Sequence, residues 1–536
     1  MVLRLPAGLF NTSGQEEVEK TNIVWFIAED ITLLLSPYGD STAYTPNINR
    51  LSNEGVTYTN CYSVSGVCAP SRSALITGMY PTSIGTHNMR VNWNTPDDLG
   101  DYWVTLPASV KTFTQYMRLG GYFCTNNAKT DYNFNTGYAD WDVNGETAHW
   151  RNRKNIDQPF FSVFTSNTTH ESRIWQNSHL PMTVNPKDVP VPPYYPDNPV
   201  VRKDIARTYS NIELMDKELG LILDQLEEDQ LLKNTIVVFI GDNGGPLPRQ
   251  KRELYQSGIN VPMIIRFPNE HKAGTISHDL ISFVDFGPTM LKVADVNIPD
   301  NFHGIPFLPE RKQSRKYIFA GKDRLDNYYD MVRAVSDGRY KYIRNFMPDK
   351  AYYFDIKYRL QMDMMQELCE LHDNEMLSME QARFFDDQKP LEELYDTNND
   401  PHELINLANN EAYAEKLQEF RQVLYNWQIK YGDYGFVEEK NLRKYFWAGD
   451  EQPITDKPTV TIEGSKVELK CDNQNATMVY SFTQNDVESG DTYNIYSKPI
   501  IIGESGILKC RSERYGFKPS EWVVVDINQH MQAKNH

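Results

Sequence analysis

A chain of 536 residues exceeds one ordinary small domain and allows about three or four units of typical size, fewer where one of them is a large α/β domain. Hydrophobic residues make up 40% of it and aromatic ones 12%, enough for a substantial core, and no apolar run is long enough to cross a membrane. The formal net charge of −18, from 54 basic and 72 acidic residues, argues against nucleic acid as a general partner; an anionic substrate would need a local cationic pocket in an acidic surface.

Residues 1–20 carry neither the basic start nor the apolar run of a secretory leader and are taken as an N-terminal tail. The run Ile23-Val24-Trp25-Phe26-Ile27-Ala28 has the length and unbroken apolar character of a strand buried on both faces of a parallel sheet. It ends in Glu29-Asp30, two carboxylates that serve either as a helix N-cap or as ligands of a cation at the sheet's carboxyl edge. Next comes Cys68-Ala69-Pro70-Ser71-Arg72-Ser73-Ala74-Leu75-Ile76-Thr77-Gly78, read as a loop entering a helix after Pro70 and ending at Gly78. A helix N-terminus favours anions and lowers a thiol's pKa, yet a cysteine there is more often a small buried side chain than a chemical centre.

Residues 159–165 form a second buried run leading to His170, and 235–240 a third that enters Asp242-Asn243-Gly244-Gly245. Ile205, Ile212, Met215, Leu219, Ile222 and Leu226 mark a long amphipathic crossover helix between these strands. Further strands are expected at 261–267 and 317–320, and a helix at 286–293. Strand and helix alternate, which predicts a three-layer α/β domain, and short strands near 332–335 and 340–343 then mix with helix. From Thr459 the short alternating runs predict a small antiparallel β-sandwich, read either as a structural lid or spacer or as a sugar-binding module. Six cysteines form no dense framework, so the redox compartment stays open; Cys471 and Cys510 share the last segment and are a candidate pair.

The stretch from Cys68 to Gly78 resembles the sulfatase signature, Cys-x-Pro-Ser-Arg followed by a small residue, Leu, an aliphatic, Thr and Gly. The resemblance covers about residues 21–430 and implies a catalytic α/β domain at 21–328 and a smaller C-terminal subdomain at 329–452, ahead of a β-sandwich at 453–528 and a tail at 529–536. The sandwich resembles the small β-domains of chitobiase-like and other glycan-processing enzymes. The family likeness further implies that Cys68 is converted to formylglycine by a maturation enzyme, and that the aldehyde hydrate attacks sulfur. Glu29, Asp30, Asp242 and Asn243, with the modified Cys68, match the family's calcium site, Glu29 replacing a more common aspartate. Lys129 and Lys251 match the two sulfate-binding lysines, Arg72 the arginine that steadies the nucleophile and metal carboxylates, and His170 the acid for the leaving group. Arg249 and Arg252 are read as solvent or substrate-rim charges.

At position 131 the family usually has histidine, and here Asp131 is expected to act as the base that expels sulfate, unless another group takes the role. The chain looks most similar to bacterial heparan N-sulfatases, which implies a sulfamate or sulfate ester on glucosamine units of a glycosaminoglycan, with His87, Arg90, Asp323 and Arg324 as sugar-recognition candidates. The same likeness sets a periplasmic or secreted location as the expectation. The alternatives are a phosphonate monoester or phosphodiester hydrolase of the same superfamily and an inactive glycan-binding homologue.

Overall fold

The computed structural model describes residues 20–92, 95–96, 99–309, 313–473, 475–483, 492–502 and 505–527. The expected tail at 1–20 lies outside these residues except for Lys20, and the tail at 529–536 lies outside them entirely.

The central sheet comprises β1 (Asn22–Ala28), β2 (Val56–Tyr62), β3 (Phe123–Asn127), β4 (Val143–Asn144), β5 (Phe160–Ser166), β6 (Thr235–Gly241), β7 (Asn260–Arg266), β8 (Thr275–Ser277) and β9 (Ile281–Ser282). Its order is β4-β3-β5-β1-β6-β7-β2-β8, with β9 also on β2. From β4 to β6 the pairing is parallel, and β7 runs antiparallel to both β6 and β2. Every residue of β1 is buried because alternate side chains enter different cores. Ile23, Trp25 and Ile27 pack with Phe113, Phe161 and Phe286 on one face. Val24, Phe26 and Ala28 face Ile205, Ile212, Met215 and Leu219 of the long helix Pro199–Glu228 on the other. The three-layer expectation holds, and the helix expected at 286–293 is Phe286–Val293.

A second sheet, β10 (Ile318–Lys322), β11 (Val332–Ser336), β12 (Tyr340–Asn345) and β13 (Glu392–Asp396), is wholly antiparallel. The strand expected at 317–320 therefore exists but belongs to this sheet, so the second layer begins ahead of residue 329. After Trp447 the chain builds two small antiparallel sheets. One holds β14 (Thr459–Glu463), β15 (Lys466–Lys470) and β18 (Ile500–Ile501). The other holds β16 (Thr477–Thr483), β17 (Asn494–Ile495), β19 (Ile507–Glu513) and β20 (Val523–Asp526). Val467 and Leu469 meet Leu508 and Cys510 between them, the expected sandwich core. The candidate pair of Cys471 and Cys510 is not a disulfide: both thiols are free, with Cys510 buried in that core.

The sandwich docks firmly on the α/β domain. Tyr515 is buried against Phe134, ring centroids 4.8 Å apart, and its hydroxyl meets Asp140 and Gln115. Gly516 N donates to Asn135 Oδ1 at 2.6 Å, and Asn135 Nδ2 to the Phe517 carbonyl at 3.0 Å. These contacts clasp the loop that leaves β3, the loop that carries Lys129 and Asp131.

Candidate active site

The parallel strands deliver their polar residues to one edge of the sheet, the carboxyl edge where open α/β folds bind ligands. β1 ends in Glu29 and Asp30, β6 in Asp242 and Asn243, β3 is followed by Lys129 and Asp131, and β5 by His170 and Glu171. Gly244 allows the turn after Asn243 to lie on a neighbouring loop, since a Cβ there would stand 2.2 Å from the Ser257 carbonyl. The Cys68 helix spans Cys68–Thr77, so it begins three residues before the expected start at Ser71, and Gly78 closes it at φ 66°.

Cys68 is fully buried, its Sγ 3.9 Å from Asp30 Oδ1, and ligand atoms of Asp30, Cys68 and His170 all lie within 4.8 Å of one another. Burial pushes the thiol up to about 12, with Lys129 and Lys251 only partly opposing it. This corrects the expectation that the helix N-terminus lowers the thiol's pKa: at neutral pH Cys68 stays protonated and is a poor nucleophile as it stands.

The carboxylates are held by cations. Burial pushes Asp30 up, but Lys251, whose Nζ donates to its Oδ2 at 2.5 Å, and His170 outweigh that and bring it to about 2. Its Oδ1 takes a bond from Asn243 Nδ2 at 2.9 Å, and its own N–H, at the left-handed φ of 49°, donates to Asp242 Oδ1 at 3.1 Å. Glu29 pairs with Lys129 and with Arg72 Nη2 at 3.5 Å, and Arg72 Nε donates to Asp242 Oδ2 at 2.9 Å. Arg72 thus bridges two of the expected metal carboxylates, as its planar fork suits it to do. The Asn243 Oδ1 is buried without a partner. Buried carboxylate and amide oxygens converging from two strand ends, one of them unpartnered, fit a hard divalent cation.

Asp131 Oδ2 is buried and stands 3.5 Å from Lys129 Nζ. Burial pushes its carboxyl up, and Lys129, Arg90 and Arg72 together overcome this, so Asp131 is ionised and able to accept a proton. His170 departs from expectation. Burial, reinforced by Lys251 against the pull of Asp30, draws its imidazole down to about 4, so it is neutral at pH 7. Ser172 N donates to its Nδ1 at 3.3 Å, which places the ring proton on Nε2, 3.9 Å from Asp30 Oδ2. At pH 7 the ring therefore presents a hydrogen-bond donor, not an imidazolium.

Two arginines read as rim charges are interior. Arg252 makes two 2.7 Å bonds to Glu171, and Arg249 lies between the rings of Tyr194 and Tyr255 while donating to the Glu403 carbonyl. Of the sugar-recognition candidates, Arg324 is corrected outright. It is fully buried, and four of its five N–H groups go to Glu439 at 2.6 and 2.8 Å and to the carbonyls of Met89 and Asp326, which commits it to the interior. Asp323 is buried against Arg333 at 2.9 Å, which makes it a fold-supporting ion pair. His87 is buried with its Nδ1 unpartnered, while Arg90 is part-exposed and helps keep Asp131 ionised, which puts it beside the site. Sequence reasoning missed Glu171, which gathers Arg252, Lys251 at 3.6 Å and Arg359 at 3.8 Å around one carboxylate; only its place directly after His170 hinted at it.

A buried nucleophile precursor, an oxygen-rich cation cradle and two lysines at a sheet edge define a hydrolase for an anionic ester, and the comparisons with known proteins specify which. Residues 21–296 match the sulfatase family model, and residues 249–381 that of "N-sulphoglucosamine sulphohydrolase, C-terminal". An ulvan-active sulfatase of Formosa agariphila is 42% identical over 95% of this chain and 91% of its own length. The human N-sulphoglucosamine sulphohydrolase is 24% identical over 78% of this chain and 93% of its own. A solved structure described as a 2-O glycosaminoglycan sulfatase superposes with a TM-score of 0.58 at 20% identity, covering 79% of this chain and 96% of that one, which supports the fold. The chain belongs to the sulfatase family, within the alkaline-phosphatase-like superfamily, and is a sulfuric ester hydrolase acting on sulfated glycans.

Proposed function

We propose that the substrate is a sulfate ester on an ulvan-type polysaccharide, cleaved with formylglycine formed from Cys68 and a calcium ion. What carries the polysaccharide reading is the 42% identity to an ulvan-active sulfatase across nearly the whole chain. When present, the formylglycine hydrate supplies the oxygen that attacks sulfur, and the cation acidifies it and offsets the sulfate's charge. The chain's own residues supply the rest. Glu29, Asp30, Asp242 and Asn243 would hold the cation, and Arg72 orients two of those carboxylates, countering in part the rise that burial gives Asp242. Lys129 and Lys251, held protonated despite burial by Cys68, Glu29 and Asp131 for the first and chiefly by Asp30 for the second, bind sulfate oxygens. The Nε2–H of His170 would hydrogen-bond to the leaving oxygen, which takes up the proton that the attacking hydroxyl gives up, and Asp131 beside Lys129 would take the proton lost when sulfate departs.

A second reading, a sulfamate or ester on glucosamine, is favoured by the C-terminal match over residues 249–381. Protein co-expressed with a maturation enzyme would be incubated with ulvan, with N-sulfated glucosamine oligosaccharides and with an aryl phosphodiester, and released sulfate or phenol measured. Sulfate from ulvan alone is the expected result. Sulfate from the glucosamine substrate alone selects the second reading, and turnover of the phosphodiester alone sinks both.

Stripping divalent ions with a chelator should abolish sulfate release and also lower the thermal midpoint, because the clustered carboxylates lose a ligand that binds only the folded state. At a cation concentration about 100 times the dissociation constant, that linkage is worth about 2.7 kcal/mol. Restoring calcium should recover the midpoint; an unaltered midpoint would argue that no resident cation sits there.

A further inference from the structure

The seam between the β-sandwich and the α/β domain holds a cavity of about 320 Å³ that is lined by residues of both and by none of the Cys68-site residues. That volume is at the lower end of what small-molecule sites use. Its acidic residues are already spent. Asp140 accepts from Thr112, Gln115 and Tyr515, and Glu513 pairs with Arg511 at 2.8 Å.

Of its cations, Arg511 is spent on Glu513 and the others are less fully engaged. Arg514 lies with its guanidinium 4.5 Å over the Phe517 ring, and its buried Nε has no partner. Burial lowers its pKa, as it does that of Lys111, which falls to about 8 with only a backbone carbonyl, that of Asn475, as its bonded acceptor. Lys518 stands exposed at the rim, and Trp103 offers an aromatic wall. In a chain of net charge −18, these form a local cationic cleft beside aromatic faces. Sugar rings stack on such faces, and carboxylate or sulfate groups would complete the unmet donors.

We infer that this cleft is a second glycan site, which holds an anionic uronate- or sulfate-bearing stretch of the polysaccharide away from the reacting ester. The inference rests on the sulfated-glycan reading of the active site. It gives the sandwich a retaining role on long chains that a short substrate would not use.

The test compares the matured protein with Lys518→Glu, with Arg514→Gln plus Lys518→Glu, and with Lys470→Glu as a charge control on an exposed position of β15. Binding to ulvan, to heparin and to uncharged dextran would be read by affinity electrophoresis, with sulfate release from ulvan and from a small aryl sulfate followed in parallel. The expected result is retardation of the parent by at least one anionic polymer and not by dextran, a loss of at least tenfold in that binding for both Lys518 variants, and little loss for Lys470→Glu. Equal binding by parent and Lys518 variants, equal loss in the Lys470 control, or no anionic polymer bound by the parent would each overturn it. If the double variant fails to fold, Lys518→Glu alone decides, because that side chain is exposed. An incorrect active-site reading would show differently, as absent sulfate release from every substrate while polymer binding and its dependence on Lys518 persist.

Discussion

Cys68→Ala protein should release sulfate on the order of 10⁵- to 10⁶-fold more slowly than the matured parent, the scale of loss when a nucleophile is deleted from a covalent hydrolase. The expectation follows from how little else the position does. The side chain is fully buried, makes one weak contact to Asp30 at 3.9 Å, and its thiol is pushed up to about 12 by burial. Unmodified parent should therefore be nearly as inactive as the alanine variant, while both keep the parent's thermal midpoint to within about 1 kcal/mol. Peptide mass across Cys68 should show sulfur and two hydrogens replaced by one oxygen in active preparations only. Turnover by Cys68→Ala within tenfold of the matured parent would remove the residue from the mechanism.

Glu171→Gln should cost about 3–5 kcal/mol of stability, the usual penalty for leaving buried charges without their partner. The carboxylate takes two 2.7 Å bonds from Arg252 and faces Lys251 and Arg359 at 3.6 and 3.8 Å. Arg359 already feels the crowding: burial, and after it Arg252, lower its pKa to about 10. Losing Glu171 leaves three cations facing one another and frees Lys251 to shift from Asp30. Activity should fall with stability, whereas Glu171→Asp, which keeps the charge, should recover part of both. Denaturant unfolding followed at the first cooperative transition measures it, and a loss below about 1 kcal/mol would show that the arginines find other partners.

What the sequence made legible was whatever is local. β1, β5 and β6 announce themselves as apolar runs, and the residues that end them are the ones the site uses. The signature around Cys68 and the lysines came through resemblance, and the structure brings Lys129, Asp131, His170 and Lys251 to the same edge. What stayed hidden was pairing at long range. Arg324 looks like a surface residue until Glu439, 115 positions later, closes on it, and Arg252 looks like a rim charge until Glu171, 81 positions earlier, takes its fork. His170 was misjudged for the same reason, since its protonation depends on burial and on Lys251 rather than on its own strand. β2 escaped because its Thr-Tyr-Thr-Asn stretch interrupts the apolar run, and β19 because Lys and Arg alternate with its core residues.

The clasp of Tyr515, Gly516 and Phe517 on Phe134 and Asn135 ties nearly the last part of the chain to the first quarter of it. On a ribosome, residue 515 follows residue 68 by roughly 20 to 90 s at 5–20 residues per second. For that interval the loop bearing Lys129 and Asp131 is without the contacts that Tyr515, Gly516 and Phe517 give it.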